Sequence, residues 1–476
     1  MPDYTVRARQ FLVDSREAGH SLVFAGQWFR WGTTHYSRVS DIDAEHEILY
    51  WWAGRFSGGN LHAARQTLAN IRAICQREEH WTTNAWRAGT LPYGSPRDRW
   101  LAFQNGVVNF THLARGEDAA LVPPSRDYLS EVVLPYPYEA GRTCPLWERS
   151  ILQWMSGQES LVSFLQEFAG YLLTPIHYEE IALFLQGSGS NGKSVFCDTL
   201  AAMLGKENVS RVSLEDFGDK FRLAVTAGKL VNISTETRPR ALIPVALVRQ
   251  IISGEDILVE QKNVQPYTCP PTARLIVAWN EPPDIRDSTD AMWRRMRLVS
   301  FRRQFLGEAK DPRLREKLLE ELPGIFWWAV QGYRRYLTRG RMEAVPAIGD
   351  AVRQLRENAD PDGAFLRARL EFSPGAYTLK EDLARAYALW CFEHDLDAST
   401  PGVLLKKLYR LFALDPLTAS GRLPGGNRPR VVKDVRLKEV PPEEGSGQVA
   451  RAEEVPAGQA PAETMAALPV AAPAHL

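Results

Sequence analysis

The sequence predicts an α/β chain: a core of strands alternating with helices, an α+β region before it and a winged helix-turn-helix after it. Three observations carry that prediction. An apolar run at 181–185 enters a glycine-rich loop and leaves it as a helix-periodic run at 195–204. Two further apolar strands, 229–235 and 273–279, lead into polar residues, Glu236 and Asn280. From about Asp360 helix-periodic segments follow one another until a basic strand pair, 421–438, closes the region.

At roughly 100–200 residues per domain, 476 residues imply two to four domains. Residues 1–145 hold seven of the fourteen Trp and form an aromatic-rich accessory domain. Its run FAGQWFRWGTTHYSRVS reads as a hairpin around Gly32, 41–75 as helices, and RDRWLAFQNGVVNF as strands turning at Asn105-Gly106. The pairs Trp28/Trp31 and Trp51/Trp52 have two readings, base stacking or core packing, of which packing is the commoner fate of aromatics. Residues 146–345 form the core domain and 350–440 the winged domain. The tail 441–476, with ten Ala, six Pro and few large apolar groups, cannot bury enough surface to offset its ordering entropy and reads as disordered.

Composition excludes several classes. With 45% hydrophobic and 24% charged residues the chain is not mostly disordered. It has no apolar stretch of about 18 residues to span a membrane, and its first twenty residues are too charged for a secretory signal. Five scattered cysteines without a C-x-x-C argue against a disulfide framework or zinc site and fit a reducing cytoplasm. The balance of 57 Lys+Arg against 57 Asp+Glu, taken as a sum, argues against nucleic acid, yet residues 401–438 carry +7 and the tail −4. The charge is local.

The loop itself is Gly187-Ser188-Gly189-Ser190-Asn191-Gly192-Lys193-Ser194, followed by Val195. It is G-x-x-x-x-G-K-[ST] in a strand–loop–helix setting. Glycines let backbone amides wrap phosphates, Lys193 supplies a positive charge to the β- and γ-phosphates, and Ser194 offers a hydroxyl to Mg²⁺. The helix that follows aims its positive end at the anion. Glu236 ends the 229–235 strand as the candidate base or water-polarising group, and as a metal contact. Thr235 precedes it where many P-loop enzymes carry an Asp, so Mg²⁺ relies more on Ser194 and the nucleotide. Asn280, an amide at a strand's carboxyl end, is suited to sense a γ-phosphate. Trp293-Arg294-Arg295-Met296-Arg297 supplies arginines able to stabilise transition-state charge.

GSGSNGKS, KLVNISTET, the stretch SGEDILVEQKNVQPYTCPPTARLIVAWNEPP and DSTDAMWRRMRLVSF, in this order, resemble a superfamily 3 helicase. Within that superfamily the chain resembles the phage/plasmid primase-helicase family related to the poxvirus primase-helicases. The similarity runs through about 430 residues in order, including FRWGTTHYSRV and AFQNGVVNF upstream and TLKEDLARAYALWCFEHDL downstream. It implies a P-loop core like that of the AAA+ ATPases, assembled as a hexameric homo-oligomeric ring that hydrolyses ATP with Mg²⁺ and moves on single-stranded DNA in the cytoplasm of a bacterial host. It further implies phosphate binding by Gly187 to Val195, hydrolysis supported by Lys193 and Glu236, Asn280 as sensor, and Arg295 as the finger reaching a neighbour, with Arg294 as fallback. Lys262 matches the lysine on the hairpin facing the ring's channel.

Lys406, Lys407 and Arg410 on one helical face, with Arg422, Arg428 and Arg430 on a wing, suit phosphate contacts on duplex DNA. No primase module precedes residue 1, so priming is not carried over, and a separate primase is an expected partner. The other reading is an origin-binding initiator or primase-recruiting factor whose ATPase is a switch rather than a motor.

Overall fold

The computed structural model describes residues 3–19, 21–56, 59–76, 84–130, 132–174, 177–235, 241–260, 266–283, 285, 290–394, 398–422 and 429–438. They form two compact units, Met1–Pro361 and Asp362–Leu476. The tail 441–476 lies outside the described residues.

The centre of the first unit is a five-stranded sheet of β1 (Ala182–Gln186), β2 (Val209–Ser210), β3 (Val231–Ser234), β4 (Arg274–Trp279) and β5 (Met296–Ser300). Every pairing is parallel, in the order β2-β3-β4-β1-β5. Strands buried on both faces read as continuous apolar runs, as ALFLQ and RLIVAW do. Leu183, Leu185, Ile233, Ile276 and Val299 share one core with the helices Lys193–Leu204, Glu159–Tyr171 and Leu322–Arg339. Their neighbours Ala182, Phe184, Leu275, Val277 and Leu298 face a second core, with the helix Val245–Ser253 and Leu355 of the helix Pro346–Ala359. That last helix belongs to the first unit, so the break between units falls after residue 361 rather than near 350.

The helices Glu159–Tyr171 and Leu322–Arg339 cross with their backbones in close approach. A Cβ on Gly170 would sit 2.2 Å from the Ala329 carbonyl oxygen, and one on Gly332 2.3 Å from that of Gln166. Glycine is the residue that permits such an approach. Beside the crossing, the buried Glu167 pairs with Arg339 and accepts the Glu343 amide at 2.9 Å.

In the N-terminal region the helix Tyr4–Glu17 is an addition to the sequence reading. Asp3 caps it by accepting from the amides of Thr5 and Val6, and Ala8, Phe11 and Ser15 form its buried face. Strands Trp28–Trp31 and Tyr36–Val39 pair antiparallel around Gly32, and Trp100–Phe103 pairs with Gly106–Asn109. Trp28, Trp31 and Trp52 are buried. The Trp52 indole donates to Thr67 Oγ1 at 3.0 Å and Trp51 to Asp14 Oδ2 at 2.9 Å. Of the two readings of these tryptophans, the structure selects packing.

The second unit runs helix Pro361–Arg369, strand Leu370–Leu379, helices Lys380–Glu393, Pro401–Leu411 and Pro416–Ala419, then strands Ser420–Arg422 and Arg430–Leu437. The last strand lies between the other two, antiparallel to both. GAFLRARLEF is helical through Arg369, as its periodicity predicts, and turns to strand at Leu370. The strand's ladder shifts register between Phe372 and Tyr377, where the Gly375 amide donates to Asp434 Oδ1 at 2.8 Å. A β-bulge at Ser373-Pro374-Gly375 accounts for the shift. Among the described residues no helix is long and apolar enough to cross a membrane, and no disulfide or three-residue metal-ligand cluster occurs.

Gly332→Ala is expected to destabilise the first unit by about 3 kcal/mol, because a backbone carbonyl cannot yield as a side chain would. Gly349→Ala, in the helix Pro346–Ala359 where none of the described residues lies within 4 Å of the new Cβ, should stabilise it by about 0.5–1 kcal/mol. Differential scanning calorimetry of the two variants checks both signs.

Candidate nucleotide-binding site

The glycine-rich loop sits at the carboxyl end of β1 and delivers the chain into the helix Lys193–Leu204. Its backbone is left-handed at Gly189 (φ +99°), Ser190 (φ +51°) and Gly192 (φ +92°). Two glycines are required by contact. A Cβ on Gly187 would strike the Asn191 amide at 2.0 Å, and one on Gly192 would strike the Trp154 indole at 2.4 Å. Among the described residues no side chain caps this helix, so its first amides remain available to an anion.

Lys193 is buried, 6% exposed, and its ammonium donates to Gly187 O at 2.7 Å, Asn191 Oδ1 at 3.1 Å and Asn280 Oδ1 at 3.1 Å. Asn191 is itself held by donating from Nδ2 to Phe301 O at 3.1 Å. All three acceptors are neutral, and among the described residues no carboxylate reaches ion-pair distance. Desolvation pushes the Lys193 pKa below its ordinary value. A partly dehydrated cation without a counter-ion is a site prepared for an anion. Strand order makes this contact: β4 lies directly beside β1, which brings Asn280 across 87 positions to Lys193.

Ser194 and Asn280 are exposed, and Val195 is half-buried. Among the described residues Ser194 supplies the hydroxyl fit for Mg²⁺, a donor set that leaves most of the ion's coordination to phosphate oxygens and water. Glu236 lies outside the described residues, two positions beyond β3. Sequence reasoning also missed Gln304, which braces the loop by donating to Ser188 Oγ at 2.9 Å and Gly189 O at 3.3 Å. The Phe305 amide adds a bond to Ser190 O at 2.8 Å. Nothing in the local pattern after β5 signals this brace.

The two arginines expected near the site part company. Arg295 is 8% exposed; it pairs with Glu180 at 2.5 Å and donates to Ser253 Oγ at 2.7 Å and Ala291 O at 3.0 Å. Its guanidinium is committed within its own chain, which argues against a role in reaching a neighbour. Arg294 is exposed, and its side chain has no polar partner among the described residues. Lys262 falls between the paired strands Ile257–Val259 and Tyr267–Cys269, outside the described residues.

In the second unit Lys406, Arg410, Arg422 and Arg430 are exposed. Lys407 departs from its expected role: it pairs at 2.6 Å with Asp362, which is 3% exposed and also held by Tyr387 and Ser399. Burial works to raise the Asp362 pKa, but the bonds from Lys407, Tyr387 and Ser399 prevail and hold it below the ordinary carboxylate range. Arg422 and Arg430 are directly opposed across the antiparallel ladder. Like charges so placed repel, and an anion between them would relieve the repulsion. Arg428 lies outside the described residues.

Residues 185–295 match a family described as a family of unknown function (DUF5906). Over 156 residues the chain is 24% identical to the putative helicase 121R of Invertebrate iridescent virus 3, a match of 30% of this chain and 16% of that protein. The matched stretch therefore spans about a sixth of the viral relative. Two apo structures of the NrS-1 C-terminal region superpose with TM-scores of 0.50 and 0.52, over 90% and 91% of this chain and 99% of theirs, at 10% identity. At that identity the likeness is one of fold.

Lys407→Ala is expected to cost the second unit about 1–3 kcal/mol at pH 7, whereas Lys406→Ala should stay within about 0.5 kcal/mol. A depressed carboxylate pKa stabilises above the unfolded value and loses that contribution as pH falls. The Lys407→Ala penalty should therefore shrink below about pH 4 as Asp362 is protonated. Chemical denaturation at pH 7 and pH 3 reads both effects.

Proposed function

We propose that this chain is an ATP-dependent DNA helicase of the superfamily 3 type, a replication motor that couples nucleotide hydrolysis to movement on single-stranded DNA. The carrying observation is the Lys193 ammonium, held in a desolvated cradle of three neutral oxygens at the start of an uncapped helix. The putative viral helicase and the shared fold of the NrS-1 C-terminal region favour the same reading.

In this reading the loop amides and Lys193 bind the triphosphate of ATP, exchanging the neutral acceptors for phosphate oxygens. Asn280, released from Lys193, turns to the γ-phosphate. Mg²⁺, when bound, would supply charge neutralisation to the phosphates, and Ser194 would hold it through its hydroxyl. Glu236 polarises the attacking water. Arg294, whose side chain is exposed and without a polar partner among the described residues, takes the finger role toward a neighbouring subunit of a hexameric ring, and Arg295 holds the segment in place through Glu180. Lys262 tracks the strand in the channel. The second unit, read as a winged helix, contacts duplex phosphates through Lys406, Arg410, Arg422, Arg428 and Arg430.

Lys193→Ala should abolish ATP hydrolysis and strand separation on forked DNA while leaving DNA affinity within about threefold; hydrolysis at the wild-type rate would sink the assignment. Arg294→Ala should keep wild-type stability, lose hydrolysis by about 10²-fold or more, and regain part of it when mixed with Lys193→Ala subunits. Arg295→Ala should instead lower the melting temperature, since it removes the buried guanidinium that ties Glu180, Ser253 and Ala291 together. Equal hydrolysis by wild type and Arg294→Ala would overturn the finger assignment.

A further inference from the structure

Beside the glycine-rich loop lies a cavity of about 760 Å³. It opens outside the carboxyl ends of β1, β4 and β5, and it shares Gln186, Gly187 and Ser188 with the loop. In open parallel sheets ligands occupy this crevice, at the point where neighbouring strands send their connections in opposite directions. Here that point lies between β1, whose connection runs toward β2, and β4, whose connection crosses to β5. A group anchored by its phosphates at Lys193 has this hollow as its neighbour.

We propose that this cavity receives the base of the bound nucleotide and selects adenine. The inference rests on the nucleotide reading above and extends it to a part of the molecule that no phosphate-binding motif describes. The floor is apolar: Pro283 and Ile285 follow β4, Trp293 precedes β5, and Leu355 comes from the helix Pro346–Ala359. Such a lining suits the faces of a heteroaromatic ring, and the volume lies within the roughly 300–1,000 Å³ typical of small-molecule sites.

The opposite wall is one face of that helix. Ala351, Gln354, Leu355, Asn358 and Ala359 follow helical spacing into the cavity. Leu355 anchors the helix in the core, and Arg356 pairs with Asp290 behind it. Gln354 and Asn358 stand one turn apart, exposed, and neither side-chain amide has a polar partner among the described residues. An amide presents a donor and an acceptor side by side, the complement of the adenine N6/N7 edge. The small Ala351 and Ala359 leave the ends of this wall open.

The test measures equilibrium binding of non-hydrolysable ATP and GTP analogues and of inorganic tripolyphosphate, each with Mg²⁺, to the full chain. Wild type should bind the ATP analogue tighter than the GTP analogue and tighter than tripolyphosphate. The double variant Gln354→Ala/Asn358→Ala should bind the ATP analogue about tenfold more weakly, the loss of two neutral hydrogen bonds, with tripolyphosphate unchanged within about twofold. Unchanged tripolyphosphate binding also shows that the variant is folded. An ATP analogue bound equally by wild type and double variant overturns the proposal, as does an equal loss for all three ligands. Equal affinity of wild type for the two analogues overturns the choice of adenine. Failure of wild type to bind any of the three, or binding indifferent to Lys193→Ala, is a different outcome: it removes the nucleotide reading itself.

Discussion

The central constraint in this chain is a buried lysine that meets no carboxylate among the described residues. Lys193 is surrounded by a main-chain carbonyl and two side-chain amides, and each of those acceptors is fixed by a different part of the fold. Gly187 is pinned where a side chain cannot fit, Asn191 is tied to Phe301 beyond β5, and Asn280 hangs from the end of β4. Three of the five strands converge on one ammonium. Burying a charge among neutral dipoles is unfavourable unless something anionic completes the site, and that demand gives the surrounding architecture its functional meaning.

The rest of the first unit holds that arrangement still. Trp154 packs under Gly192 and, with Trp147, joins Phe196 and Trp328 in the core that backs the loop helix. Glycines at the crossing of Glu159–Tyr171 and Leu322–Arg339 bring those helices into backbone contact, so the platform behind the helix has little room to shift. The segment after β5 completes the frame from the other side, with Gln304 and Phe305 bonded across the loop. A preorganised anion site costs less to occupy than one that must first be ordered.

The second unit shows a comparable division between structural and available charge. Lys407 and Asp362 form a half-buried pair tied into the unit's core through Tyr387, while Lys406 and Arg410 point outward from the same helix. Sequence spacing groups Lys406, Lys407 and Arg410 on one face, and it cannot reveal that Asp362, 45 positions earlier, claims the middle one. Arg294 and Arg295 divide in the same way. They are neighbours of one residue type, yet Glu180 and Ser253 capture Arg295 and leave Arg294 at the surface. In both cases the partner is distant in sequence, and no local pattern carries it.

The sequence alone determined what is local. The alternation of apolar runs with a glycine loop located β1, its loop and its helix. The runs 229–235 and 273–279 located β3 and β4, and the turn signals at Gly32 and Asn105-Gly106 located two hairpins. These are short-range matters of backbone sterics and periodicity. The strand Leu370–Leu379 escaped because a bulge at Ser373-Pro374-Gly375 interrupts its alternation. Tertiary structure alone decided strand order, and with it the meeting of Asn280 and Lys193. It also decided which arginine is buried, which lysine is paired, and where the helix Pro346–Ala359 closes a cavity against the loop. Each of these depends on contacts between residues tens to hundreds of positions apart, whose pairing is set by how apolar faces pack together rather than by any spacing along the chain.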